Sequence, residues 1–359
     1  MNKVYVDFHV IQTVPPSCVN RDDTGSPKTA IYGGVRRARV SSQAWKRSMR
    51  LMFREHFAEK DLGTRTKKIV EMVAVAIGKK NPSISAEDAQ TLAQKIINAA
   101  GVTTKDTEAK ALFFMSGQQA ENLAELAVNN PDASKKDAQA ALNAGHGVDV
   151  ALFGRMVADD PSLNADASAQ VAHAISTHKV ENEFDYFTAV DDRAPEDNAG
   201  AGMIGTVEYN SATLYRYATI AAHELFKQLA EDKEALAKAV NEFARAFIHS
   251  MPTGKQNTFA NRTVPDAVLV CIRGDQPVNF AGAFEEPVKS RDEGFSKGSV
   301  QKLEQYAKDV YADFCGTPKK SYVIGVVPFG ESEKISSTEL IKQLGKDAVD
   351  ALHNSEASQ

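Results

Sequence analysis

Ala30-Ile31-Tyr32-Gly33-Gly34-Val35-Arg36-Arg37-Ala38-Arg39-Val40-Ser41-Ser42-Gln43-Ala44-Trp45-Lys46-Arg47 decides how the chain is read. Gly33-Gly34 is a turn signal, and residues 35–40 form a short extended run after it. Ser41-Ser42-Gln43 stands where a helix begins, and either serine can cap it by accepting from a free backbone N–H. Within that helix Trp45, Met49, Met52 and Phe53 fall at i, i+4, i+7 and i+8, a single apolar stripe. Lys46 and Arg50 form a basic row beside it, and Arg47, Arg50 and Arg54 another. The spacing predicts a helix that packs one face into a core and presents cations on the other.

Upstream, Val4, Val6, Phe8 and Val10 alternate, which predicts a half-buried strand ended by Pro15-Pro16. A polar loop containing Arg21, Asp22 and Asp23 follows. Downstream, residues 61–170 are rich in Ala, Lys and Glu, with helical periods at 69–77, 86–99, 109–128 and 135–143. Breaks at Asn81-Pro82, Gly101 and Asn130-Pro131 separate them, so this region reads as a helical insertion. Residues 170–190 read as extended. Residues 191–205 are polar and glycine-rich, a loop long enough to be functional or disordered. Then come a strand at 206–220, a helix at 222–250, a strand at 267–272, a helix at 300–314 and a strand at 321–327. The tail after Ala351 is polar and loose. With the insertion set aside, the order predicts an α+β sheet with helices on one face, compatible with a ferredoxin-like or RRM-like core.

The 359 residues are 43% hydrophobic and 25% charged, a globular balance. No stretch approaches the ~20 apolar residues of a membrane helix, and the start lacks a secretory signal. Cys18, Cys271 and Cys315 are too scattered for a disulfide framework or a zinc site and fit a reducing cytoplasm. His173 and His178 lie five apart on an extended segment, which points them to opposite faces. The net charge of −5 argues at first against a nucleic-acid partner. Yet residues 1–60 carry eleven Lys/Arg against five Asp/Glu, a net +6, and the remainder carries −11. A polyanion feels the local field within a Debye length of ~8–10 Å rather than the sum.

No Walker loop, Gly-x-Ser-x-Gly elbow or His-Glu-x-x-His is present. Asp22-Asp23 and Asp191-Asp192 are adjacent pairs with no third acid fixed beside them, so they give no metal site. The basic constellation is the stronger signal. A helix N-terminus offers backbone N–H groups to phosphate. Ser41, Ser42 and Gln43 add neutral donors, and Lys46 and Arg47 add charge. Such a set suits backbone contacts rather than base reading. The glycine–aromatic core of the RRM signature is absent, which argues against bases stacking on the sheet.

These residues carry a resemblance. Residues 17–23 and 30–47 closely resemble the start of the CasC (Cse-type) backbone subunit family of the type I-E CRISPR surveillance complex, Cascade. Residues 147–156, 172–178, 185–192, 215–218, 254–256 and 283–285 are similar to later motifs of that family, in the right order. The resemblance implies an RRM-like palm at 1–60, 171–190 and 207–350, helical fingers at 61–170, a thumb loop or hairpin at 191–206 and a flexible tail at 351–359. It implies copies stacked along the spacer of a CRISPR RNA, with guide bases presented for pairing with target DNA in antiviral defence. Guide contacts would fall on Arg21, Lys28, Ser41, Gln43, Lys46, Arg47, Arg50, Arg155, Met156, Met203, Ile204, Thr206, Lys255 and Gln256. Lys289 and Arg291 would lie near incoming DNA. The implied partners are further copies of the chain, the large, small, cap and guide-processing subunits, and a recruited helicase-nuclease. No catalytic residue, metal or cofactor is implied. A related reading keeps the same role but adds metal-dependent RNA cleavage by Asp22 or Asp23.

Overall fold

A computed structural model of the chain describes residues 1–157, 160–189, 192–193, 203–290, 293–325 and 329–353. The chain opens with β1 (Tyr5–Ser17), β2 (Thr29–Tyr32), β3 (Val35–Val40) and α1 (Ser42–Phe53). It continues through β4 (Gly63–Thr66), α2 (Ile69–Lys80), α3 (Ala86–Ala99), β5 (Thr104–Lys105), β6 (Glu108–Ala109), β7 (Phe113–Ser116), α4 (Gly117–Asn129) and α5 (Lys135–Asn143). Next are α6 (Val148–Phe153), β8 (Ala169–Val171), β9 (Ala174–Ser176), β10 (Glu183–Ala189) and β11 (Met203–Ala221). Then come α7 (Ala222–Gln228), α8 (Lys233–His249), α9 (Gln256–Phe259) and β12 (Ala267–Arg273). Last are α10 (Ser296–Asp313), β13 (Lys320–Ile324), β14 (Glu333–Lys334) and α11 (Ser337–His353).

The main sheet runs β14-β13-β12-β1-β11-β9-β3-β2, with β8 and β10 also paired to β11. β1 is its centre, antiparallel to β11 (Phe8 opposite Ala218) and to β12 (Phe8 opposite Val270). The α+β class is as predicted. The one-sided sheet is not, because β1 is covered on both faces. Val6, Phe8 and Val10 pack with Trp45 and Met49 of α1, Phe243 and Phe247 of α8 and Leu344 of α11. Buried side chains of this size each contribute about 1.5–3 kcal/mol. The opposite face, with Ile11, Tyr215, Tyr217 and Leu269, lies under Phe280, Phe284 and Leu303 of α10. Asp7 and His9 mark that face as polar in the sequence, but both are buried. Asp7 accepts from the Tyr217 hydroxyl at 3.1 Å and from the Val278 N–H at 2.9 Å, and the His9 ring stacks on Phe280 at 4.3 Å.

The insertion has its own core, built from Val73, Ile77, Ile97, Leu123 and Leu142 among others. It is shorter than the predicted 61–170, since Val148, Ala151 and Leu152 of α6 and Ala169 of β8 belong to the main core. The helix predicted at 222–250 is two helices, α7 and α8, broken where Ala230 and Glu231 take positive φ of 55° and 60°. β10 is exposed along its length and pairs with the start of β11, Glu183 opposite Tyr209 and Ala189 opposite Met203. The projecting hairpin therefore begins by residue 183, not 191. Residues 191 and 194–202 of the predicted thumb lie outside the described residues, as does 354–359 of the tail. α11 was not expected. It fills the main core with Leu340, Ile341, Leu344, Ala348 and Leu352. Among the described residues no helix is long and apolar enough to cross a membrane.

Candidate nucleic-acid interface

The β2–β3 hairpin turns on Gly33 and Gly34, with φ of 56° and 75°, the positive values a two-residue turn of this hand requires. Gly33 also lies against the Glu285 carbonyl, where a Cβ would stand 1.7 Å from the oxygen. The hairpin is clamped there by Arg37, which is fully buried. Its guanidinium donates to the carbonyls of Tyr32 (3.1 Å), Ser176 (3.1 Å), Phe284 (2.8 Å) and Glu285 (3.2 Å). Arg37 thus belongs to the scaffold, whereas Arg36 is exposed.

Ser41 is the cap of α1. Its hydroxyl accepts from the Ala44 N–H at 3.3 Å, and its own N–H donates to Asn20 Oδ1 at 2.9 Å. The second bond ties the loop after β1 to the helix start. Asp22 orders that loop by accepting from the Thr24 hydroxyl (2.7 Å), the Thr24 N–H (3.0 Å) and the Ser26 N–H (3.0 Å). The Thr24 hydroxyl is the main reason its carboxyl is held below the usual range. Among the described residues Arg21 has no ion-pair partner, the neighbouring Asp22 and Asp23 included.

A cleft of about 570 Å³ opens between this loop, α1 and the segment before α9, lined by Asn20, Arg21, Ala44, Arg47 and Thr253. Gly254 lets the third wall close in, since a Cβ there would stand 2.1 Å from the Val19 carbonyl oxygen. Lys255 follows in a left-handed conformation (φ 49°), and Gln256 is exposed. Burial pushes the nearby Cys18 thiol up, while the charges of Arg21 and then Lys255 pull it down, so both cations act on the same place. Arg21 and Arg47 thus line one cleft from two segments, together with Asp22 and Asp23, and Lys255 follows the Gly254 of its third wall. Lys28 lies behind the loop, where its N–H donates to the Asn20 carbonyl at 2.8 Å. Gln43 is exposed on the first turn of α1.

The other predicted contacts divide. Arg155 is buried and donates to the carbonyls of Leu163 (2.9 Å) and Phe114 (3.3 Å) and to Asn143 Oδ1 (3.2 Å). It is an internal clamp of the insertion, whereas its neighbour Met156 is 85% exposed. Arg50 donates to Asp149 Oδ2 at 2.8 Å and to the Gly63 carbonyl at 3.0 Å, so most of its bonding is internal too. Lys46 is half-buried, with its ammonium 5.8 Å from the centre of the Phe153 ring. Met203, Ile204 and Thr206 are exposed on the hairpin, beyond the cleft. Phe187 lies across Gly205 between them, where a Cβ would meet the ring at 2.5 Å. Lys289 is exposed, and Arg291 lies outside the described residues. Both ring nitrogens of His178 are engaged, with the Thr213 N–H at 3.1 Å and the Lys179 carbonyl at 2.8 Å. Among the described residues no three His, Cys, Asp or Glu side chains converge as metal ligands. Arg65, absent from the sequence-based set, has its guanidinium 5.0 Å from the centre of the Phe114 ring. Its only sequence signal is a lone cation between threonines.

The sequence pattern of the CT1975-like proteins, designated Cas_CT1975, matches residues 6–347. The chain belongs to that family. The resemblance carried by residues 17–23 and 30–47 is thereby borne out at the level of a Cas backbone subunit. The CT1975-like chain is also similar to solved structures. One, described as a CRISPR RNA-guided surveillance complex, pre-nicking, contains a chain 31% identical with a TM-score of 0.82, the match covering 96% of this chain and 100% of that one. A second, described as a CRISPR RNA-guided surveillance complex, gives 26% identity and a TM-score of 0.73 over 96% and 99%. No curated protein matches this CT1975-like chain significantly.

Proposed function

We propose that this protein is a guide-binding backbone subunit of a type I-E Cascade complex, several copies of which line the spacer of a CRISPR RNA. The observation that carries the reading is the cleft, which Arg21 and Arg47 line beside the first turns of α1, with Lys255 next in sequence to its third wall. Cations that read phosphate leave the guide bases to read the target, and this division of labour is how RNA-guided recognition obtains sequence specificity. The whole-chain likeness to chains of RNA-guided surveillance complexes supports the same role.

In this reading the sheet with α1 and α8 is an RRM-like palm, supported by the neighbour order β12-β1-β11-β9. The α2–α5 unit is the fingers, and the β10–β11 hairpin is the thumb that reaches a neighbouring copy. Among the described residues both faces of the sheet at β1, β11 and β12 are buried, so bases cannot stack there. Target DNA is met through the guide, near Lys289. The large, small, cap and guide-processing subunits complete the assembly in the cytoplasm, and a recruited helicase-nuclease cuts. The subunit itself binds without cleaving, since Asp22 is engaged in ordering its own loop.

The test is co-expression with a CRISPR array and the partner subunits, followed by sizing of the co-purified RNA. A discrete RNA of one repeat-plus-spacer unit is expected, and magnesium should produce no periodic cuts in RNA complementary to the guide. Purification free of RNA would overturn the binding role, and periodic products would overturn the non-cleaving one.

A further inference from the structure

The β10–β11 hairpin is exposed along β10. A two-stranded ribbon by itself is marginally stable and strongly twisted, so its direction has to be imposed at its root. The segment 176–180, which leads into β10, is bonded on every side. Towards β3, the Arg37 guanidinium donates to the Ser176 carbonyl at 3.1 Å and the Ala38 N–H to Ser176 Oγ at 3.0 Å. The Val180 N–H donates to the Arg36 carbonyl at 3.0 Å. Towards β11, the Thr177 N–H donates to the Thr213 carbonyl at 2.9 Å. Towards α10, the Val288 N–H donates to the Thr177 carbonyl at 2.9 Å, and Ser299 Oγ lies 2.8 Å from Thr177 Oγ1. His178 closes the set. It is buried, and its Nε2 accepts from the Thr213 N–H at 3.1 Å. Nδ1 therefore carries the proton and donates to the Lys179 carbonyl at 2.8 Å. The ring lies flat on that of Phe295, the residue before α10, with centroids 3.6 Å and planes 8° apart. Burial, opposed by the Lys179 bond and joined by the charge of Arg37, holds the imidazole below its usual range and keeps Nε2 free to accept.

We propose that His178 is a positioning residue: stacked on Phe295 and bonded to β11, it fixes the direction in which the hairpin carries Met203 and Ile204. This deepens the proposed function and rests on its reading of the hairpin as the part that meets a neighbouring copy. An apolar side chain could fill the same volume, but it could not accept from Thr213 and donate to residue 179 while lying on Phe295. The stack adds a link from the root of the hairpin to the start of α10, so a bend at the root has to break ring contact as well as backbone bonds.

The experiment uses the full chain with nitroxide labels at Asp185→Cys, exposed on β10, and Lys346→Cys, exposed on α11. The native cysteines are all buried. Pulsed electron paramagnetic resonance reads the distance between the labels without RNA. A narrow distribution is expected for the labelled wild type and for Phe295→Tyr, which keeps the ring. A broadened one is expected for His178→Ala and for Phe295→Ala, which breaks the stack from the other side. The same proteins are then bound to single-stranded RNAs long enough for one copy or for several. One-copy affinity should stay at the wild-type value, because the cleft lined by Arg21 and Arg47 is untouched, whereas the affinity of each added copy should fall about tenfold. An unbroadened distribution in both alanine variants, or a loss shared equally by short and long RNAs, overturns the positioning role. Broadening with no loss on the long RNAs keeps His178 as the anchor and overturns the reading of the hairpin as the part that meets a neighbour. A wild type that binds neither RNA overturns the guide-binding reading itself.

Discussion

At the residue scale, the cations of this chain divide by what surrounds them, and the sequence shows only that they are cations. Arg50 stands in the basic rows of α1, the resemblance puts Arg155 beside the guide, and Arg37 stands in the basic run before α1. Each is instead bonded to acceptors supplied by distant segments: Phe284 for Arg37, Asp149 for Arg50, Asn143 and Leu163 for Arg155. Arg216 goes further. It is buried on β11, lies 3.7 Å from the centre of the Trp45 ring and donates to Gln12 and to the Phe247 carbonyl. That carbonyl is near the end of α8, where acceptors are unpaired and the dipole is negative. Burial pushes this guanidinium down to about 9.

The buried acid Asp7 gives a prediction with a definite sign. Burial raises its carboxyl to about 6, from 3.8 when unperturbed. Below pH 4 it is protonated whether the chain is folded or not. Between pH 4 and 6 the unfolded chain ionises first, so stability falls as pH rises. The loss by pH 7 is about 3 kcal/mol. Asp7→Asn should lack this decline, so its unfolding free energy should gain about 3 kcal/mol on the wild type between pH 4 and 7. His9, held down to about 3 by burial, contributes the opposite slope in both proteins and cancels in the comparison. Parallel curves of denaturant stability against pH would contradict the assignment.

At the scale of elements, local signals were legible and coverage by distant layers was not. The cap and apolar stripe of α1 stand as spaced, with Trp45, Met49 and Phe53 buried and Met52 partly so. β1 alternates as expected, but nothing within it shows that residues 280–284 and α10 close over its other face. α11 could have been found. Ser336 and Glu339 form a reciprocal cap, and Leu340, Ile341, Leu344, Ala348 and Leu352 follow a helical period. The β2–β3 turn separates two requirements on glycine. Gly34→Ala meets only the cost of positive φ, about 1–2 kcal/mol. Gly33→Ala meets that cost and also drives a Cβ into the Glu285 carbonyl, so it should lose more than about 3 kcal/mol. Thermal unfolding of both variants checks the order, and equal losses would contradict the close approach.

At the scale of the molecule, a net charge of −5 conceals a basic region of +6 in the first sixty residues. The fold sharpens that figure by moving Arg37 and Arg50 inside and leaving Arg21 and Arg47 on the cleft beside α1, with Lys46 half-buried on that helix. Lys255 is legible in the sequence only through the family motif, and the pairing of β4 with β7, which sets Arg65 opposite Phe114, leaves no signal in it. α1 and α6 belong to the main core and not to that of the insertion, and the cleft lies between α1, the loop after β1 and the segment before α9.

The central claim is that this side holds an RNA backbone irrespective of base sequence. Its most direct test is the salt dependence of affinity for unrelated spacer-length RNAs, measured for the wild type and for Lys46→Ala/Arg47→Ala. The variant should bind every RNA more weakly by the same factor, with the logarithmic salt slope flattened by about 1.4 for two lost phosphate contacts. A loss that depends on the sequence of the RNA, or an unchanged slope, would contradict it.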